Sequence, residues 1–225
     1  MTRRVFAVRP EPGLAATLAL ARGMGIEAEG APLFEVRPRD WKAPDPAGID
    51  ALIVGSANAF VHGGEQLSRF IRKPVHAVGG KTAEAARAAG FTVASTGSGG
   101  LQAVLGAIAP PARLLRVAGA THVPLAPPGG VSIRTVIAYE SVALPLPARC
   151  AQPLAQGGVV LLHSGEAARH FARECDRLGI ERGGLDLAAL APRIAEAAGE
   201  GWSAVHVAPE PSDSALLAMV RDRVT

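Results

Sequence analysis

Apolar runs alternate with amphipathic stretches along this chain, and two of the runs end in the same way. In IDALIVGSANAF (49–60) an apolar run stops at Gly55-Ser56, and small polar residues lead into a helical pattern. In GVVLLHSGEAARHF (158–171) the run stops at Ser164-Gly165 and again a helix follows. A short apolar run closed by Gly or Ser and followed by a helix predicts an interior strand of a parallel sheet, covered on both faces. The end of such a strand presents a hydroxyl and backbone N–H groups at a helix start, where anions are held. Two such ends in one chain predict one ligand held between two similar lobes.

The remaining pattern fills in around them. A strand is predicted at 3–8, then a helix over 12–23 with Leu14, Leu18 and Ala21 on one face, ended by Gly23 and Gly25. A second strand is predicted from Ile26 to Val36. Strand 49–54 leads to a helix over 57–71. VHAVGGKTAEAARAAGF (75–91) reads as strand, Gly79-Gly80 turn and alanine-rich helix. A strand at 91–94 and a helix at 101–109 follow, then strands at 112–120 and 131–141. Proline-rich 121–130 between them argues against a helix. After 158–171 come a strand-and-helix pattern over 187–199 and another over 205–222.

The order repeats. GGKTAEAA (79–86) aligns with APRIAEAA (191–198), and GIEAEGAPLFEV (25–36) with GVSIRTVIAYES (130–141), which sets Phe34 opposite Tyr139. RPRDWKAPDPAG (37–48) and VALPLPARCAQP (142–153) are Pro-rich connectors, and boundaries belong in such segments. The expectation is an α/β fold of two similar lobes, each a parallel sheet flanked by helices. Residues 1–37 plus 157–225 form a first, discontinuous lobe, and 48–141 the second. Residues 38–47 and 142–156 are expected to be two extended linker strands lying side by side.

Composition removes several classes. Hydrophobic residues make up 48% of the 225, enough for real cores and against disorder. Net charge is +3 and aromatics only 4%, without the basic stripe or stacking rings of a nucleic-acid binder. Cys150 and Cys175 make no framework, and six scattered histidines lack ligand spacing, so no metal is expected. No GxGxxG follows the first strand, which argues against a dinucleotide enzyme. No stretch is long enough to span a bilayer, and the apolar run near the start is too short for a secretory signal. A soluble, cytoplasmic monomer is the expectation.

Individual residues have two readings each. Ser56 and Ser164 suit plain helix caps or ligand contact. Lys81 and Arg193 match across the repeat, as solvated first-turn charges or as anion contacts. Arg9 could hold a carboxylate with both arms of its fork, or pair with Glu11. His163 reads as a packed residue beside a turn. Tyr139, the only tyrosine, is either a packed strand-end aromatic or an acid, its phenol being protonated at neutral pH.

Six segments, in order and spacing, resemble the uroporphyrinogen-III synthase family over essentially the whole chain. They are VFAVRPEP (5–12), APLFEV (31–36), LIVGSANAF (52–60), VHAVGGKTAEAARAAGF (75–91), VIAYESV (136–142) and VVLLHSGEAARHF (159–171). The resemblance implies two α/β lobes joined by a two-stranded ladder. It implies cyclisation of hydroxymethylbilane, a linear tetrapyrrole, to uroporphyrinogen III in haem biosynthesis, with loss of water, inversion of ring D and no cofactor. A tyrosine at the VIAYES position is the family's favoured proton donor to the leaving hydroxyl, which makes Tyr139 the catalytic candidate. The helix starts behind Ser56, Gly80 and Ser164 would then face an anionic substrate, giving a binding set of Arg9, Ser56, Ala57, Gly80, Lys81, Thr82, Ser164, Gly165 and Arg193. Thr82 sits where the family often has a ligand-facing threonine. Two departures stand out: Pro192-Arg193-Ile194 replaces hydroxyl residues usual at the second helix start, and PLAPPGG (124–130) replaces a helix. A binding protein built on the same lobes, holding an anionic small molecule without converting it, is the alternative.

Overall fold

The computed structural model describes residues 3–224. The chain opens with β1 (Val5–Ala7), α1 (Gly13–Gly23), β2 (Ala28–Gly30) and β3 (Phe34–Pro38). It continues through β4 (Ala51–Val54), α2 (Asn58–His62), α3 (Gly64–Ser68), β5 (Val75–Val78), α4 (Gly80–Ala88), β6 (Val93–Gly97), α5 (Leu101–Gly106), β7 (Ala112–Gly119) and β8 (Val131–Ala143). It closes with α6 (Ala148–Ala155), β9 (Gly158–Leu162), α7 (Gly165–Leu178), β10 (Leu185–Ala189), α8 (Pro192–Ala197), β11 (Ala204–Val207) and α9 (Asp213–Val224).

These elements form an α/β fold with two sheets. One runs β11-β10-β9-β1-β2 and is parallel throughout. The other runs β3-β8-β7-β4-β5-β6, parallel from β8 to β6. The chain divides into two compact units: one up to Glu35 together with Val142 onward, the other Val36–Ser141. Both sheets are covered on two faces. In β9, Val160 and Leu162 join the core under α7, while Val159 and Leu161 join the one under α1 and α9. Such strands read as continuous apolar runs because neither face meets water.

The connectors differ from expectation. Residues 38–47 and 142–156 are not two extended strands; the chain changes unit inside β3 and near the end of β8. Proline density suggested linkers, but apolar anchors decide otherwise. Trp41 and Ala43 lie against the second unit's core, with Trp41 Nε1 donating to Gly63 O (3.0 Å) and Ala43 N to Gln66 Oε1 (3.1 Å). Leu146 and Leu154 are buried in the first unit, and Leu146 N donates to the buried Glu174 carboxylate at 2.6 Å. Arg177 grips the same carboxylate and, with that pairing as the main cause, holds it below the ordinary value.

Other boundaries moved for local reasons. The predicted strand Ile26–Val36 is two strands, β2 and β3, in different sheets, with Ala31 and Leu33 buried where the chain leaves the first. The helix predicted over 57–71 breaks into α2 and α3 at Gly63-Gly64, where Gly64 has φ +61°. As predicted, 121–130 forms no helix.

In each sheet the chain winds outward in both directions from a central pair of strands. These pairs are β1 and β9 in the first unit, β4 and β7 in the second. Loops leaving such a pair diverge to opposite faces and open a crevice at the carboxyl ends of the strands, where open α/β sheets bind ligands.

Candidate functional site

The second unit has a cavity at that crevice. About 440 Å³ opens where β4 ends at Gly55-Ser56 and β7 ends at Gly119, and Gly100, Arg116, His122 and Tyr139 also line it. Tyr139 is brought there by a register shift: β7 and β8 pair in step to Ala118–Ile137, then Gly119 faces Tyr139. Ala120 N fixes the bulge by donating to Tyr139 O at 2.9 Å. A side chain at Gly119 would put its Cβ 2.6 Å from Tyr139 Cε2, so the ring can lie on this backbone only because residue 119 is glycine.

The ring is half-buried against the core, and its hydroxyl makes no hydrogen bond among the described residues. One histidine lies beside the ring and another lines the same cavity. The His62 ring centroid is 6.3 Å away. His122 Nδ1 lies 2.8 Å from Gly119 O, and since a carbonyl only accepts, Nδ1 carries a proton there.

Arg116 is the unexpected member. It is 7% exposed in the middle of β7, where the neighbouring strands set Ile53 and Thr135 beside it. Among the described residues it has no hydrogen bond and no carboxylate at ion-pair distance. Burial pushes its guanidinium below the ordinary value, and the Tyr139 phenol acts in the opposite sense.

The predicted residues fall at the carboxyl edges of both sheets. In the second unit, Ser56 lines the cavity and its Oγ accepts from Asn58 N at 3.3 Å. Ala57 is the N-cap of α2, a helix of only 5 residues with little dipole to offer. Gly80 and Lys81 are exposed at the start of α4, behind Gly79 at φ +76°, whereas Thr82 is buried. In the first unit, Ser164 Oγ caps α7 by accepting from Ala167 N at 3.1 Å. Gly165 sits where α7 approaches α8, an added Cβ falling 3.2 Å from Ala197 Cβ, and Arg193 is exposed.

Arg9 does not pair with Glu11, and the carboxylate it holds here is internal. Its Nη1 donates to Asp213 (2.8 and 3.1 Å) and to Thr17 Oγ1 (3.1 Å), while Glu11 instead accepts from Ala15 N. The guanidinium is therefore engaged by an internal carboxylate from α9. His163 is buried beside them, its Nε2 3.3 Å from Asp213 Oδ1 but without hydrogen-bond geometry. Burial first, and then the Arg9 charge, pull its pKa down to about 4 against the pull of Asp213, so the ring is neutral at pH 7.

Sequence reasoning missed Arg116, His62, His122 and the role of Gly119. Arg116 had a legible signal: a charge interrupting the apolar strand ARLLRVAGA. The histidines had none, because only the fold brings α2 and the 121–125 loop to Tyr139. A larger cavity, about 650 Å³, lies at the opposite edge of the first sheet, lined by Arg4, Arg22, Ile26 and Glu29. It is remote from the carboxyl ends, and Glu29 already lies 3.8 Å from Arg4. Among the described residues no cluster of His, Cys, Asp or Glu could hold a metal, and no helix is long and apolar enough to cross a membrane.

The family model described as uroporphyrinogen-III synthase HemD matches residues 15–218. The fold is similar to that of uroporphyrinogen-III synthetase from Helicobacter pylori 26695, with a TM-score of 0.66 and 15% identity over 98% of this chain and 99% of that one. It is also similar to a mutant uroporphyrinogen III synthase from Thermus thermophilus, with a TM-score of 0.51 and 16% identity over 97% and 98%. At such identities the solved structures speak for the fold alone. Among curated proteins none matches the sequence.

Proposed function

The chain belongs to the uroporphyrinogen-III synthase family, enzymes of haem biosynthesis that act on a tetrapyrrole, and on that premise we propose that it works as a hydro-lyase with Tyr139 as its acid. The reaction is cyclisation of hydroxymethylbilane with loss of water and inversion of ring D. A hydroxymethyl group does not release hydroxide readily, so the leaving oxygen needs a proton as the pyrrole nitrogen pushes electrons toward the carbon. The Tyr139 O–H supplies that proton, water departs and an azafulvene remains, which the far ring then attacks. The observation that carries this reading is the sole tyrosine, its hydroxyl without a partner among the described residues, lining a cavity at the carboxyl edge of its sheet.

The substrate carries carboxylates on every ring. Backbone N–H groups at the starts of α4 (9 residues) and α7 (14 residues) are suited to them, each helix end contributing about 0.3–1 kcal/mol when exposed. Ser56, Ala57, Gly80, Lys81 and Thr82 at one edge, and Ser164, Gly165 and Arg193 at the other, are the proposed binding set. Arg9 is left out, since Asp213 engages it.

The test is a coupled assay that generates hydroxymethylbilane in place and separates the product isomers. The expected product is type III at a rate proportional to protein. Only the type I isomer, formed at the spontaneous rate, would overturn the proposal.

A further inference from the structure

We infer that Arg116 is the carboxylate receptor of the Tyr139 cavity, forming a fork-shaped ion pair with an acetate or propionate side chain of the pyrrole ring that carries the leaving hydroxyl. This deepens the functional reading and rests on it for the identity of the substrate.

The argument begins with what a buried cation needs. A guanidinium offers five N–H donors and cannot shed its proton at neutral pH, so a buried one is ordinarily paired. Arg116 is 7% exposed and has no carboxylate, carbonyl or hydroxyl partner among the described residues. Its guanidinium nitrogens are not sealed in the core but open to the cavity, so a partly desolvated cation without a protein counter-charge stands where a ligand can supply one. Its side chain lines the cavity, so a ligand can reach it.

Alternation along β7 sets this direction. Leu115 and Val117 face the core under Trp41 and Phe70, and Leu114 faces the one under α5. Arg116 shares the face of Leu114, one step nearer the carboxyl end, where the α5 layer gives way to the cavity. Two acids of this unit are engaged elsewhere, Asp50 by Arg113 and Glu140 by Arg39.

Proximity to Tyr139 identifies the ring. Both side chains line the same cavity. At about 440 Å³ the cavity is toward the small end for ligand sites, suited to one end of a linear tetrapyrrole rather than to all four rings. A planar fork matches a carboxylate through two parallel hydrogen bonds, which fixes ring orientation as well as position. The carboxylate held by Arg116 therefore belongs to the ring whose hydroxyl meets Tyr139.

Kinetics and direct titration test this together. Arg116→Met should raise KM for the bilane about ten- to a hundredfold with a much smaller change in kcat, as for a lost ground-state contact with a charged group. Arg116→Lys should fall between the two. In the ligand-free state Arg116→Met should melt at or above the wild-type temperature, because a partly desolvated charge without a counter-charge has been removed. In the wild type, the Arg116 Nε–Hε nuclear magnetic resonance signal should shift saturably with a monopyrrole bearing acetate and propionate chains, and not with its dimethyl ester. An unmoved Arg116 signal, a wild-type KM in a folded Arg116→Met, or a loss confined to kcat overturns the assignment. Should Arg116→Met melt far below the wild type or not fold, Arg116 also has a structural share, and the wild-type titration and the KM of Arg116→Lys decide the assignment. Failure of the enzyme reading looks different: wild-type protein would yield no type III isomer, while the titration would still report the carboxylate contact.

Discussion

The Tyr139 hydroxyl has no protein partner among the described residues, so removing it takes almost nothing from the fold. Tyr139→Phe should change stability by no more than about 1 kcal/mol. If the phenol is the positioned acid, the same change should slow formation of type III product by about 10²–10⁴. Thermal melting and isomer analysis on one preparation check both, and a folded variant with unchanged rate would return Tyr139 to a packing role. Tyr139 was legible because a lone tyrosine at a strand end can be singled out in one dimension. Its setting was not, for it depends on a register shift at Gly119 and on two histidines from other elements. The aligned Phe34 shows how little an internal repeat guarantees: it is buried in the first unit, edge-on to His170 at 5.3 Å. The pairing of Arg9 was illegible for a related reason, since its partner Asp213 comes from α9, far along the chain.

Among elements, the strands were the most legible and the segments between them the least. Interior parallel strands announce themselves as apolar runs, and β4, β7 and β9 lie where the pattern put them. Helix ends depended on single glycines, and the connectors on apolar anchors too sparse to form a pattern. One contact between elements has a pH signature. His163 at the end of β9 is buried against Asp213 of α9 and Arg9 beyond β1, with its pKa lowered from 6.5 to about 4. Between those values the unfolded chain binds a proton that the folded one refuses, so stability is full above 6.5 and falls as pH drops toward 4. The His163→Gln protein should lose less stability than the wild type over that window. Denaturation midpoints at several pH values test it, and parallel curves for the two proteins would rule out His163 as the source.

At the scale of the whole chain, the repeat and the two sheets were readable because each sheet announces one of its central strands in the same grammar, β4 at 49–60 and β9 at 158–171. The positions at which the chain changes unit were hidden inside regular strands, where composition does not alter. The second unit is one continuous stretch with cores on both faces of its sheet, so a fragment of residues 34–143 should fold by itself. Trp41 lies in that unit and Trp202 in the other, so Trp41 fluorescence should report a cooperative urea transition in the fragment. A gradual, featureless loss of signal would contradict it. The discontinuity of the first unit also imposes a schedule on synthesis. β1 leaves the ribosome before the second unit, yet β9, its partner on one side, emerges only after that entire unit. During translation the second unit can complete itself while Val5, Phe6 and Ala7, wholly buried at the end, still wait for cover. A strand made before the second unit is thus settled only after it, and its apolar side chains stay exposed for the whole of that interval.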